Sequence, residues 1–364
     1  MHASRFNLTF TSPRAYGFLL LNTLSGAADL VDRRALDVLA SADTDALQGH
    51  PEFCRYCLER GYLFASTDAE VEAIEAAHQR TLELYRAEPF RAHVHLTYLC
   101  NLRCSYCFQS HRLHGRGSLF PSDAIPALFT AIGELSQRWA SPQPPTVTLF
   151  GGEPLLQRAS QVRVVAAILD ACSERGYRIG IVTNGVDLSG YVDLLAPHAP
   201  EFVQVTLDGP KEVHDQRRVF ADGEGSFDYV VAGIDAAVAR GLHVIVRVNV
   251  DRRNVESLPD LADFILARGW TRHGVVVGVA PVDEFVPESE WCAEQTRIDT
   301  LQALLEVLHS HEQTGFMVLG HRLAQVFEHL LTHGCLPAAS FRYCPATIGN
   351  QMSFDHEGRI FACC

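Results

Sequence analysis

The sequence predicts an α/β fold: a partial (β/α)6 TIM-like barrel, preceded by a winged-helix-like domain and followed by a Cys-rich helical region. Three observations predict it. Between His93 and Pro281, short β-branched runs alternate six times with amphipathic stretches. The segment before that block carries a strand–strand–helix–helix–strand–helix pattern of its own, and the segment after it gathers Cys335, Cys344, Cys363 and Cys364. The expected domains are 1–90, 91–283 and 284–364, because 364 residues exceed what one core usually holds.

In the first segment, Phe18–Leu21 and Ala28–Val31 read as strands around the turn-rich Asn22–Gly26. A helix starts at Asp32, and a second runs from Pro51 to Arg60 and stops at Gly61. Tyr62–Phe64 reads as a third strand. Thr67 and Glu70 form a capping box opening a helix over Asp68–Arg86. Cys54 and Cys57 fall inside the second helix and read as two partly buried thiols. Residues 1–91 hold nine Arg, no Lys and thirteen acidic residues, which argues against a DNA-binding winged helix.

The barrel strands are expected at 93–99, 145–150, 178–183, 202–207, 243–250 and 274–280. In parallel barrels, function collects at the carboxyl ends of the strands. Strand one runs into a loop with Cys100, Cys104 and Cys107, spaced Cys-x3-Cys-x2-Cys. Three thiolates can grip three irons of a cubane and leave the fourth open. Zinc is the alternative, with His111 or His114 as a further ligand. Strand two ends in Gly151-Gly152-Glu153-Pro154: two glycines admit a close ligand, and Glu153 offers a carboxylate to an ammonium group.

The stretch VHLTYLCNLRCSYCFQ, with Tyr106 before the last Cys, resembles the cluster loop of the radical S-adenosylmethionine (SAM) enzymes. The resemblance covers about 93–281 and implies a 4Fe-4S cluster on Cys100, Cys104 and Cys107 with SAM on its open iron. It further implies that Tyr106, Gly151, Gly152 and Glu153 face the cosubstrate, and that Thr206, Asp208, Arg218 and Asn249 hold its ribose and carboxylate. Thr183-Asn184-Gly185 is a turn this family often carries. The strand with Gly274 and Gly278 is similar to the family's adenine-facing strand and makes Val279 a candidate contact.

Beyond an acidic linker at 281–290, helices are expected at 297–311 and 322–333. Cys344-x13-Gly358-x4-Cys363 is similar to the opening of the SPASM domain of peptide-modifying radical SAM enzymes. That likeness makes Cys335, Cys344, Cys363 and Cys364 candidate ligands of an auxiliary 4Fe-4S cluster, with a zinc site as the alternative. Only the opening of that domain is matched, so the expectation is either a truncated sequence or a cluster with fewer protein ligands. Sulfatase-maturing members have Asp where Cys364 stands, which weakens that reading. Residues 1–90 resemble the leader-binding recognition domains of ribosomal-peptide maturases, which bind peptide by adding a strand to a sheet edge.

A net charge of −13 argues against nucleic-acid binding. The start lacks a signal-peptide pattern and no apolar run could span a membrane, so a cytoplasmic location is expected, and eleven cysteines read as ligation rather than disulfides. The expected function is a radical SAM oxidoreductase that reductively cleaves SAM to a 5′-deoxyadenosyl radical and modifies a peptide or protein, with a flavodoxin or ferredoxin as electron donor. The alternatives are a sulfatase-maturing or small-molecule radical SAM enzyme, and a zinc-stabilised peptide-binding protein.

Overall fold

A computed structural model of the chain describes residues 1–11, 17–41, 49–107, 109, 118–282, 297–320, 322–337, 339 and 348–362. The chain divides into two compact units, Met1–Ala87 with Arg322–Tyr343, and Glu88–His321 with Cys344–Cys364.

The first unit holds strands β1 (His2–Ala3), β2 (Asn7–Thr11), β3 (Phe18–Asn22), β4 (Ala28–Val31) and β5 (Leu63–Phe64). Its helices among the described residues are Arg33–Ser41, Pro51–Glu59, Thr67–Arg86 and Arg322–His333. β2, β3 and β4 form an antiparallel sheet with β3 in the middle, and β1 pairs with β5. Leu20, Leu39, Cys54, Cys57, Tyr62 and Leu63 make the core, so both cysteines of the second helix are packing residues. Burial pushes the Cys57 thiol up to about 12. Asp29 accepts from the hydroxyls of Tyr56 and Tyr62 and from Arg60, which ties β4 to the helix and to β5. Burial would raise its carboxyl, but these hydrogen bonds outweigh burial and hold it below the usual range.

Two expectations fail here. The helix cap is Ser66, whose side chain accepts from the Ala69 N–H at 3.1 Å, and Thr67 is already helical. Glu70 closes no capping box; it turns to the chain's start and accepts from Ser4 Oγ (2.9 Å), the Arg5 N–H (3.0 Å) and Arg5 Nε (3.2 Å). The strands β1 and β2 were also not foreseen, because β1 has two residues and β2 buries no side chain to enforce an alternating pattern.

The second unit is built on β6 (Arg91–His95), β7 (Thr146–Phe150), β8 (Arg178–Thr183), β9 (Phe202–Thr206), β10 (Val244–Val250) and β11 (Val276–Pro281). They lie parallel and side by side in chain order with helices between them, as the partial TIM-like barrel requires, the connection from β8 to β9 holding only the short helix Val192–Leu195. β12 (Met317–Leu319) extends the sheet beside β11. At the other edge β13 (Gln351–Phe354) runs parallel to β6 and turns back into β14 (Ile360–Phe361). The three last strands were missed because each has four residues or fewer. No helix among the described residues is long and apolar enough to cross a membrane.

Strand alternation sorts the sheet into two faces. Val94, Leu149, Ile181, Val205, Val246 and Val277 share one face and are fully buried. His93, Thr148, Thr206, Arg247, Asn249 and Gly278 share the other, which is the polar inner wall.

Glu70 gives the fold a direct test. Glu70→Ala leaves the Ser4 hydroxyl and Arg5 amide without their acceptor and should cost about 1–3 kcal/mol. The Arg5 amide should then exchange with deuterium faster than in the parent; unchanged protection there would contradict the assignment.

Candidate active site

The strand expected over 93–99 ends at His95 because the next residues pair with a turn instead. Leu96 N–H donates to the Phe150 carbonyl at 3.2 Å, Gly152 N–H to Thr97 at 2.8 Å, and Glu153 N–H to Leu99 at 2.8 Å. This ladder brings the turn after β7 against the loop that leads to Cys100. Gly151 has a φ of 127°, and a Cβ on Gly152 would lie 2.3 Å from the Leu99 carbonyl oxygen. These glycines are thus needed for a close approach by the chain itself.

Glu153 is likewise turned inward. It is 1% exposed; Oε1 accepts from Leu155 N–H (2.8 Å) and Thr183 Oγ1 (2.7 Å), and Oε2 from Asn184 N–H (2.6 Å). Burial pushes its carboxyl up to about 7, against the opposing pull of those donors. Through Asn184 the connection reaches the cysteines: Asn184 Nδ2 donates to Asn101 Oδ1 at 2.7 Å and lies 3.8 Å from Cys100 Sγ.

The Cys loop is braced from its other side by the chain after β9. Arg103 N–H donates to Val219 (2.7 Å) and Ser105 N–H to Arg217 (3.1 Å). Burial raises all three thiols, Cys100 to about 12 and Cys107 to about 11, while the Arg218 cation pulls each of them down. The Leu102 N–H points at Cys100 Sγ at 3.4 Å, and the Gln109 amide favours the Cys107 thiolate. One buried and two half-buried thiols, amide donors toward two of them and the charge of Arg218 acting on all three make a donor set whose chemistry fits an iron–sulfur cluster.

Four of the residues expected at the cosubstrate converge on one atom. The Tyr106 hydroxyl donates to Asp208 and accepts from Arg218 Nη1 (2.7 Å) and Asn249 Nδ2 (3.2 Å). Arg217 lies over the Tyr106 ring at 4.9 Å and is neutralised by Asp251 at 2.7 Å, with Asp208 at 3.7 Å. Arg218, 6% exposed, makes no ion pair with a carboxylate among the described residues, and its Nε has no hydrogen-bond partner. A buried guanidinium without an anion is costly, so this one is suited to a ligand carboxylate or to thiolate charge. Thr206 lies beside Arg247 on the inner wall.

Val279 falls elsewhere. It aligns with Val248 on the fully buried apolar face of β11, one residue out of phase with Gly278 and Asn249, so its side chain cannot line the wall they share. Cys335 sits in the first unit, 3.8 Å from His329 Nε2. Cys344, Cys363, Cys364, His111 and His114 lie outside the described residues. Asn101, Arg217 and Asn254 carried no expected role. Asn254 Nδ2 donates to the carbonyls of Asp208 (2.7 Å) and Asn249 (2.9 Å), binding the ends of β9 and β10 together.

A family model described as the radical SAM superfamily matches residues 94–265. A GTP 3',8-cyclase of Mycolicibacterium smegmatis is 28% identical over 221 residues, 60% of this chain and 56% of that protein. A probable GTP 3',8-cyclase of Methanopyrus kandleri is 32% identical over 173 residues, 47% of this chain and 50% of that protein. The chain spans about half the length of these curated relatives. Among solved structures, Streptococcus suis SuiB bound to precursor peptide SuiA is similar over 100% of this chain and 83% of that one, with a TM-score of 0.57 at 16% identity. Native anSMEcpe with bound AdoMet is similar over 76% and 74%, with a TM-score of 0.57 at 15% identity. At these identities the structures show a shared fold.

Two outcomes test the site's construction. Gly152→Ala should force the turn away from Leu99 and lower the iron retained after anaerobic reconstitution; full retention would contradict the ladder's role. Glu153 supplies the pH test. Its carboxyl in the fold lies above the ordinary 4.5, so the stability it contributes is fully present below about pH 4.5 and is lost as pH rises through about 7. The Tm of the parent relative to Glu153→Gln should fall between about pH 4.5 and 7 and level off above. A flat difference would mean the carboxyl titrates normally.

Proposed function

We propose, from the premise that the chain belongs to the radical SAM superfamily, that it is a radical SAM enzyme acting on a peptide substrate. The observation that carries the peptide reading is extent. The likeness to the peptide-bound SuiB structure runs through the whole chain, the first unit included, whereas the cyclase relatives match 60% of it or less.

In this reading Cys100, Cys104 and Cys107 hold the 4Fe-4S cluster, and the Asp208–Arg218–Asn249 set with Thr206 faces SAM. When bound, the pair supplies an electron and the homolytic cleavage from which hydrogen abstraction on the substrate proceeds. The chain's own residues bind and orient. Arg218 offers its unpaired charge to the cosubstrate carboxylate and to the thiolates. Glu153, locked by Thr183 and Asn184, sets the turn that places Cys100 and acts on the ammonium group only through what capacity those donors leave. The inner wall of the barrel receives the residue to be modified, and a small electron-transfer protein such as flavodoxin or ferredoxin delivers the electron.

The first unit is read as the leader-binding element. Of the three strands expected to offer an edge, β3 is central and paired on both sides, so it drops out. Among the described residues β4 keeps an outer edge, with Leu30 exposed on that strand. A small-molecule reading is kept because the curated relatives are named as GTP 3',8-cyclases. Against it stands the chain's charge of −13, which suits a triphosphate poorly.

Substituting Cys100, Cys104 and Cys107 by Ala together should abolish SAM cleavage and remove about one cluster's worth of iron; undiminished 5′-deoxyadenosine would sink the assignment. For the substrate, the reconstituted enzyme should be offered GTP and, separately, a panel of ribosomal precursor peptides. Faster 5′-deoxyadenosine formation with a peptide, and its loss in Leu30→Arg, is the expected result. Turnover of GTP with no response to any peptide would replace this reading by the small-molecule one.

A further inference from the structure

A hydroxyl group has one proton to give and lone pairs to receive two donors. At Tyr106 all three places are taken: Asp208 receives, Arg218 Nη1 donates at 2.7 Å and Asn249 Nδ2 donates at 3.2 Å. Asp208, Arg218 and Asn249 therefore form a site complementary to a single alcohol. That site does not depend on the phenol for its shape. Asp208 accepts the Asn249 N–H at 2.9 Å through its other oxygen, and Asn254 grips the carbonyls of both residues. Arg218 is buried with an unpartnered Nε, which points to a ligand still to come.

We propose that the Tyr106 hydroxyl is a placeholder in a ligand-alcohol site, occupying the position that a hydroxyl of the cosubstrate takes when it binds. The inference rests on the reading that SAM binds at this end of the barrel. In the free protein the phenol gives the buried Asp208 and Arg218 and the half-buried Asn249 amide a partner each, and losing those bonds would cost the fold. On binding, the ring withdraws and the ligand inherits three hydrogen bonds already aimed at one point. Arg217, stacked on the ring at 4.9 Å and fixed by Asp251, is the surface against which the ring moves. Tyr106 is a positioning residue in this account: it holds the site open to one chemical class, a neutral hydroxyl, and competes with it.

The competition has an unusual sign. Removing the phenol oxygen in Tyr106→Phe should tighten SAM binding to the reconstituted protein about five- to tenfold, as expected when one internal hydrogen-bonding competitor is lost. The Tm of the free variant should fall in the same protein. The readout is calorimetric Kd, measured without reductant so that cleavage plays no part. A second ligand separates the hydroxyl from everything else: for a SAM analogue lacking both ribose hydroxyls, parent and Tyr106→Phe should bind alike. Unchanged or weaker SAM binding by Tyr106→Phe, with the parent binding normally, would overturn the placeholder while leaving the site reading intact. Equal tightening for SAM and the analogue would also overturn it, since the gain would not come from an alcohol. A parent protein that binds no SAM with its cluster in place would overturn the underlying reading, and the proposal with it.

Discussion

The structure of the site depends on three backbone hydrogen bonds between Leu96–Leu99 and Phe150–Glu153. They continue the pairing of β6 with β7 past the point where the strands proper end, and so carry the order of the sheet into the cysteine loop. Such contact is possible only because two successive positions lack side chains. Elsewhere a sheet's carboxyl edge dissolves into loops that move independently. Here one loop is pressed to its neighbour, and Glu153 fastens that neighbour to the turn after β8. The Val219 and Arg217 carbonyls do the same from the side of β9. The thiols are therefore held by four strand ends at once, although three of them lie within eight residues of sequence.

Charge is distributed with similar economy. Two adjacent arginines follow β9, and burial makes each expensive. Arg217 is compensated by Asp251 and Asp208 and serves as a fixed surface. Arg218 feels Cys104, the Tyr106 phenol and, at longer range, Asp208, makes no ion pair of its own among the described residues, and remains the group with charge to spend on a ligand. One position decides which arginine is structural and which faces the chemistry, and the helix Lys211–Arg217 fixes that phase by ending between them.

Much of this was legible beforehand because the signals were local. The six barrel strands are apolar runs bounded by turns, and the Cys-x3-Cys-x2-Cys and Gly-Gly-Glu stretches are contiguous. What the sequence could not convey was direction. Glu153 reads as a free carboxylate until its three donors are seen, and they come from positions 155, 183 and 184. Val279 was assigned to the wall although a one-residue phase puts it on the opposite face. Glu70 fits a capping motif by spacing, yet its partners are residues 2, 4 and 5, more than sixty positions away. Asn254 was passed over because an Asn in a loop is the commonest of signals. For Glu153, Glu70 and Asn254 a deciding contact is distant in sequence, at Thr183, Ser4 and Asp208, and pattern reading weighs only neighbours.

The first unit is discontinuous: residues 1–87 are completed by 322–343. A ribosome delivers the early part of that unit some 234 residues before the late part, as 321 less 87 gives for the stretch between them. At synthesis rates of about 5–20 residues per second, the early part waits on the order of ten to fifty seconds, long enough for most of the barrel to emerge and begin to fold. During that interval the helix Thr67–Arg86 lacks the Thr81 contact to the Ala339 carbonyl, and Gly26 lacks its partner at Leu336. The late segment of this unit thus acts as a clasp on its early one. Translation that stops short of residue 322 leaves a barrel joined to an unfinished first unit.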